Sequence, residues 1–75
     1  MDPQVAWENL LDAYADHDWK KAVEHVVALL DWLQKGGFPP RTVPARRVRP
    51  EVDRLIAVAT CRLVIEEAER THSES

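Results

Sequence analysis

Residues 50–70 read PEVDRLIAVATCRLVIEEAER, and this stretch decides the fold. Pro50 suits the first turn of a helix, because the N–H that it lacks would have no partner there. Between Leu55 and Ile65 the only charged residue is Arg62. Apolar side chains therefore cover more than one face of the predicted helix, and such a helix should be buried on more than one side.

Two apolar faces appear when successive residues of this helix are placed about 100° apart. The face predicted to pack against the rest of the chain contains Val52, Leu55, Ile56, Ala59 and Leu63. The roughly opposite face contains Ala57, Val58, Cys61, Val64, Ile65 and Ala68. Two short helices cannot surround a third, so we expect this second face to be an interface with something outside the chain. Its predicted interface residues are Val58, Cys61, Val64, Ile65 and Ala68.

The preceding half of the chain predicts an antiparallel helical hairpin. Asp2 and Pro3 are typical of a helix start, and an apolar face follows at helical spacing from Trp7 to Tyr14. Asp18 can cap a second helix, which Gly36 and Gly37 should close. We predict an all-α fold with helices at about 3–15, 18–34 and 50–70, a loop at 35–49 and a frayed tail at 71–75.

The loop between the second and third helices is rich in proline and arginine. Residues 35–50 read KGGFPPRTVPARRVRP, and the prolines exclude a helix there. These residues carry a net charge of +5, from one lysine and four arginines, whereas residues 1–34 carry seven acids and two lysines, a net of −5. Residues 51–75 carry six acids and three arginines, a net of −3. We expect the loop to lie along the helices, anchored by its apolar residues.

The arginines of this loop are the candidate contacts for an anion or an acidic partner. They are Arg41, Arg46, Arg47 and Arg49. One interpretation pairs them with the chain's own acidic helices or with those of a partner subunit, because guanidinium groups suit carboxylates. The alternative is phosphate contact in a nucleic-acid-binding accessory protein. A pI of about 5.5 argues against nucleic acid.

Trp32 departs from the amphipathic pattern of the second helix, because it falls on the polar side. An exposed tryptophan is typical of a binding surface, so Trp32 is a second candidate interface residue. The alternative is that the returning segment Phe38-Pro39-Pro40 covers it.

Catalytic and ligand-binding motifs are lacking in the sequence. Asp16 and Asp18 beside His17 are explained by turn and capping chemistry, and the three histidines match no zinc spacing. Cys61 lies among apolar neighbours and should be a small buried hydrophobic residue. We therefore predict no enzyme activity, no cofactor and no metal.

The length of the chain points to self-association. Seventy-five residues form one domain, and cores of this size are often supplemented by disulfides, metals or oligomerisation. With one cysteine an internal disulfide is impossible, so a homo-oligomer, most simply a dimer, is predicted. Neither a signal peptide nor a membrane-spanning run is recognised, and a cytoplasmic location is expected. The predicted function is a protein–protein interaction module that self-associates through its third helix or binds another protein.

Two resemblances concern residues 7–40. The pattern Trp7-x-x-Leu10-x-x-x-Tyr14 followed by Asp18-Trp19-Lys20-Lys21-Ala22 resembles one tetratricopeptide repeat. Ala22 falls one place early and no second copy follows, so this resemblance implies a hairpin and not a peptide-binding array. The run from Trp7 through Leu30-Asp31-Trp32-Leu33 to Gly36-Gly37-Phe38-Pro39-Pro40 also looks like a family of short uncharacterised bacterial proteins. That resemblance covers about half the chain, supplies no site residues, and implies that Trp32 and the Gly-Gly-Phe-Pro-Pro segment belong together.

Overall fold

A computed structural model describes the backbone of residues 1–74 and the side chains of residues 1–71. The three helices are α1 (Pro3–Ala15), α2 (Trp19–Gln34) and α3 (Pro50–Glu74). The described part of the chain contains no strand, and the all-α prediction is confirmed. The predicted end of the third helix near Arg70 is wrong, because residues 71–74 continue α3. Ser75 lies outside the described residues.

Short polar side chains and backbone turns set the ends of α1 and α2. The Asp2 carboxylate accepts hydrogen bonds from the N–H groups of Gln4 (3.0 Å) and Val5 (3.4 Å). Asp18 accepts one from the Lys21 N–H (3.2 Å), so both predicted caps are confirmed. Between the helices His17 adopts a left-handed conformation (φ 56°), which is uncommon for a residue other than glycine.

The C-terminal end of α2 closes as the glycine pair predicts. Gly36 has a φ of +85°, and its N–H donates to the Leu33 carbonyl (3.1 Å). The N–H of Gly37 donates to the Trp32 carbonyl (2.9 Å). These two bonds form a Schellman motif, in which glycine avoids the cost of a Cβ in the left-handed region.

The centre of the fold is α2, which packs against both α1 and α3. An Arg54 guanidinium N–H donates to the Leu33 carbonyl, so the start of α3 lies beside the end of α2 and these helices are antiparallel. The core contains the buried side chains Ala6, Trp7, Leu10, Ala13, Ala22, Val26, Leu29, Leu33, Ala57, Cys61 and Val64.

The packing of α3 reverses most of the sequence-based assignment of its two faces, although Ile56, which was assigned to the hairpin side, does pack against the core. Ala57, Cys61 and Val64 are buried in the chain's own core, and Val58 and Ile65 pack against that core. Val52, Leu55 and Leu63, which were expected to contact the hairpin, are exposed. The prediction of an outside partner is therefore wrong for Cys61 and Val64, whereas for the half-buried Val58, Ile65 and Ala68 it stays a prediction. The small side chains of Ala57 and Cys61 on α3 and of Ala22 on α2 are all buried. Their small volume suits close contact between α2 and α3.

Burial makes the Cys61 thiol unreactive. Its side chain has no exposed surface, and desolvation raises the pKa of the thiol from 9.0 to about 11. We expect the native protein to react with a thiol reagent at pH 8 far more slowly than the protein unfolded in guanidinium chloride, because the thiolate is the reacting form. Equal rates in the two states, measured by absorbance of the released chromophore, would contradict this burial.

The same pKa shift predicts a loss of stability at alkaline pH. The folded state holds the thiol proton more tightly than the unfolded state. The contribution of the protonated Cys61 thiol to the free energy of unfolding is therefore complete below pH 9 and is lost as the pH rises towards 11. We expect a decrease on the order of 1–2 kcal/mol in the free energy of unfolding over this range. Urea denaturation of the wild type and of Cys61→Ala isolates the effect, because the variant lacks this titration.

Candidate binding surface

An exposed row of aliphatic side chains runs along α3. It consists of Val52 (40% exposed), Leu55 (69%), Ala59 and Leu63 (60%), and is called the α3 stripe below. The spacing of three or four residues places all of them on one side of the helix, away from the buried Cys61. Scattered exposed leucines are ordinary, but an aligned row on one helix is typical of a contact surface.

A groove between α1 and α3 adjoins the stripe. Both helices pack against α2 and leave an open space of about 250 Å³ between them. Its lining residues are Leu11, Tyr14, Thr60, Leu63, Val64 and Glu67. Leu63 belongs to both the groove and the stripe, so the two form one continuous apolar surface.

The first part of the Pro/Arg-rich loop is anchored to all three helices. The Gln4 side chain on α1 accepts from the Arg41 N–H (2.8 Å) and donates to its carbonyl (3.3 Å). On α3, Asp53 Oδ1 accepts from the Thr42 N–H (3.0 Å) and hydroxyl (2.7 Å). Pro40, which immediately precedes these two anchored residues, is fully buried. The expectation that the loop lies along the helices is confirmed for this part, but its anchoring is mainly polar, and Phe38, an expected apolar anchor, is exposed.

Trp32 is the third anchor, on α2, and it is not an open docking residue. Its indole Nε1–H donates to the Phe38 carbonyl (2.8 Å), and the ring lies against Gly37. The side chain is half-buried. Of the two alternatives, coverage by the returning segment is therefore confirmed, although its backbone covers the indole and the Phe38 ring itself is 73% exposed.

The four arginines of the loop all remain exposed. Within residues 1–71 the only ion pair joins Lys35 and Asp31 (2.9 Å), so none of the four arginines pairs with the chain's own acids. The interpretation in which they bind the protein's own helices is wrong. Arg41 and Arg47 line one hollow of about 290 Å³ together with Phe38, and these cations are available to a partner.

Asp53 should be the residue on which the position of the loop depends most. Asp53→Ala removes two hydrogen bonds to Thr42 and should lower the free energy of unfolding by about 2 kcal/mol, because bonds to a charged group are stronger than neutral ones. Urea denaturation measures the loss, and faster exchange of the Thr42 amide hydrogen would locate it. Glu51→Ala is the matched control, since Glu51 lies in the same first turn but is exposed.

The residues at the α1–α2 turn have structural roles. The His17 ring stacks on Trp19 (centroids 5.8 Å apart, planes 9° apart), and Asp18 caps α2. His25 lines an open depression that also contains Asp12 and Asp16. Among the residues described, no group of three or more histidine, cysteine or acidic side chains is arranged to hold a metal ion.

No helix in the described part of the chain combines the length and apolar character needed to cross a membrane. In comparisons with known proteins, no family model, no curated protein and no solved structure matches this chain.

Proposed function

We propose that this protein is a small non-catalytic interaction module that self-associates through the α3 stripe. The observation that carries the proposal is the alignment of Val52, Leu55, Ala59 and Leu63 on the outer side of α3, continuous with the groove beside α1. A partner that covers this surface removes apolar area from water, which is the main favourable term in protein association.

The amount of apolar surface supports self-association as a source of stability. Complete burial of an exposed leucine contributes about 1.5–3 kcal/mol, and a two-fold dimer buries Leu55 and Leu63 from both copies. Much of the monomer core consists of small side chains, among them Ala6, Ala13 and Ala22. Covering the stripe would therefore add substantially to a fold whose own core is modest. A cytoplasmic location is part of the proposal, because a single thiol supports no internal disulfide.

The test of self-association is the molar mass in solution, measured by size-exclusion chromatography with light scattering. We expect the wild type to be a dimer at micromolar concentration and Leu55→Glu to be a monomer, because the variant would bury a carboxylate in the interface. Val27→Glu should remain a dimer, since Val27 is also a well-exposed aliphatic residue (59%, against 69% for Leu55) but lies on α2, outside the stripe. A wild type that is monomeric under these conditions would contradict the proposal.

A second candidate function is nucleic-acid binding through the loop. It is favoured by Arg41, Arg46, Arg47 and Arg49, which form no ion pair with any acid among residues 1–71. The exposed Phe38 ring beside Arg41 and Arg47 offers a stacking surface for a base. Binding of this kind weakens steeply as salt increases. An oligonucleotide mobility shift at low salt that is lost in Arg46→Ala/Arg47→Ala would support it, and no shift at low salt would exclude it.

A further inference from the structure

We infer that the partner covering the α3 stripe is a second copy of this chain whose α3 runs antiparallel, with the two-fold axis at Ala59; this inference rests on the proposed function. Ala59 is the smallest side chain of the stripe and lies between its two most exposed leucines. Leu55 precedes Ala59 by four residues and Leu63 follows it by four. A small residue at the crossing point lets the helices approach closely.

Shape complementarity follows from this register. An antiparallel pair centred on Ala59 places Leu55 of each copy opposite Leu63 of the other. Leu55 projects furthest into solvent, with 69% of its surface exposed, whereas Leu63 borders the groove of about 250 Å³ beside Leu11 and Tyr14. Leu55 of one copy can therefore enter the groove of the other, and the two-fold axis repeats this contact on the second copy.

Charge favours the antiparallel direction over the parallel one. Arg46, Arg47 and Arg49 come just before α3, whereas Glu66, Glu67 and Glu69 lie in its C-terminal part. Arg49 precedes Ala59 by ten residues and Glu67, which lines the groove beside the stripe, follows it by eight, so an antiparallel pair brings the basic end of each copy to the acidic end of the other. A parallel pair would bring the basic ends together. Such exposed charges contribute little individually but set orientation.

A symmetric disulfide tests the register directly. Ala59→Cys in a Cys61→Ala background should form a covalent dimer under mild oxidation, because bonded cysteines need Cα atoms about 4.4–6.8 Å apart. Chains carrying only Leu55→Cys should not form a covalent dimer. In this register residue 55 of one copy lies about 12 Å along the helix from residue 55 of the other. A mixture of Leu55→Cys and Leu63→Cys chains should give the mixed dimer. If Cys61→Ala impairs folding, the Ala59→Cys chain that retains Cys61 serves instead. The native thiol is buried and should not take part in the disulfide.

The outcomes separate this inference from the proposed function. A monomeric wild type overturns both. A dimer in which Leu55→Cys links to itself and Ala59→Cys does not would overturn the register while leaving self-association intact.

Replacing Arg46, Arg47 and Arg49 with glutamate should weaken dimerisation about tenfold, equivalent to 1.4 kcal/mol. Replacing Glu66, Glu67 and Glu69 of that variant with lysine should restore the dimer affinity. An unchanged affinity in the triple glutamate variant would overturn the antiparallel charge pairing.

Discussion

Val64→Asp should leave the chain largely unfolded at room temperature. Val64 is 3% exposed and packs in the core with Ala57 and Cys61. A carboxylate at this position loses hydration without gaining a partner, which costs several kcal/mol. A chain of this length has a total stability of about 4–11 kcal/mol, so the substitution removes most or all of it. Far-UV circular dichroism would record the loss of helix.

The adjacent residue supplies the control. Leu63→Asp makes the same chemical change in the same turn of α3, but Leu63 is 60% exposed. The low helix propensity of aspartate affects both variants alike, so the difference between them reports burial alone. Leu63→Asp should keep the helical spectrum while weakening self-association. If Leu63→Asp unfolded the chain and Val64→Asp did not, the packing of α3 described above would be wrong.

The sequence predicted the helices well because their ends depend on local chemistry. Asp2, Pro3 and Asp18 act within one turn of their own positions, and Gly36 closes α2 through its own conformation. Signals of this range can be read from neighbouring residues alone. The C-terminal part of α3 has no comparable stop signal, since residues 71–75 include neither glycine nor proline, and the predicted end near Arg70 was four residues short of Glu74.

The inward face of α3 could not be chosen by the same reasoning. Periodicity showed two apolar faces. The larger side chains on one of them, such as Leu55 and Leu63, favoured that face as the buried one, and this choice was wrong. The buried face uses Ala57 and Cys61 because close packing against α2 selects small volume rather than hydrophobicity. Volume at a contact depends on the facing helix, which sequence periodicity does not describe.

The anchors of the loop were also beyond sequence reasoning. Gln4 and Arg41 are 37 residues apart, and Thr42 and Asp53 are 11 apart. No local pattern relates such polar side chains to a distant backbone group. These anchors fix the first part of the loop without using any guanidinium group, and the four arginines are exposed. The sequence identified the basic residues, and the structure shows that none of their guanidinium groups forms an ion pair within residues 1–71.

Gly37→Ala should displace Trp32 and lower the free energy of unfolding by about 2–3 kcal/mol. A Cβ at position 37 would fall within 2.6 Å of the Trp32 Cδ2 atom, so the indole has to move and lose its hydrogen bond to the Phe38 carbonyl. Overpacking of this kind usually costs about 1–3 kcal/mol, and the lost bond adds to it.

Gly36→Ala is the matched control for this clash. Nothing lies within 4 Å of a Cβ there, and the cost comes only from the left-handed conformation (φ +85°), which is about 1–2 kcal/mol for an L-residue. Hydrogen exchange of the Trp32 indole N–H distinguishes the two variants. It should become fast in Gly37→Ala, because the bond to Phe38 breaks, and stay slow in Gly36→Ala. Slow exchange in Gly37→Ala would show that the indole keeps its place, and the close contact with Gly37 would then not be what fixes the loop against α2.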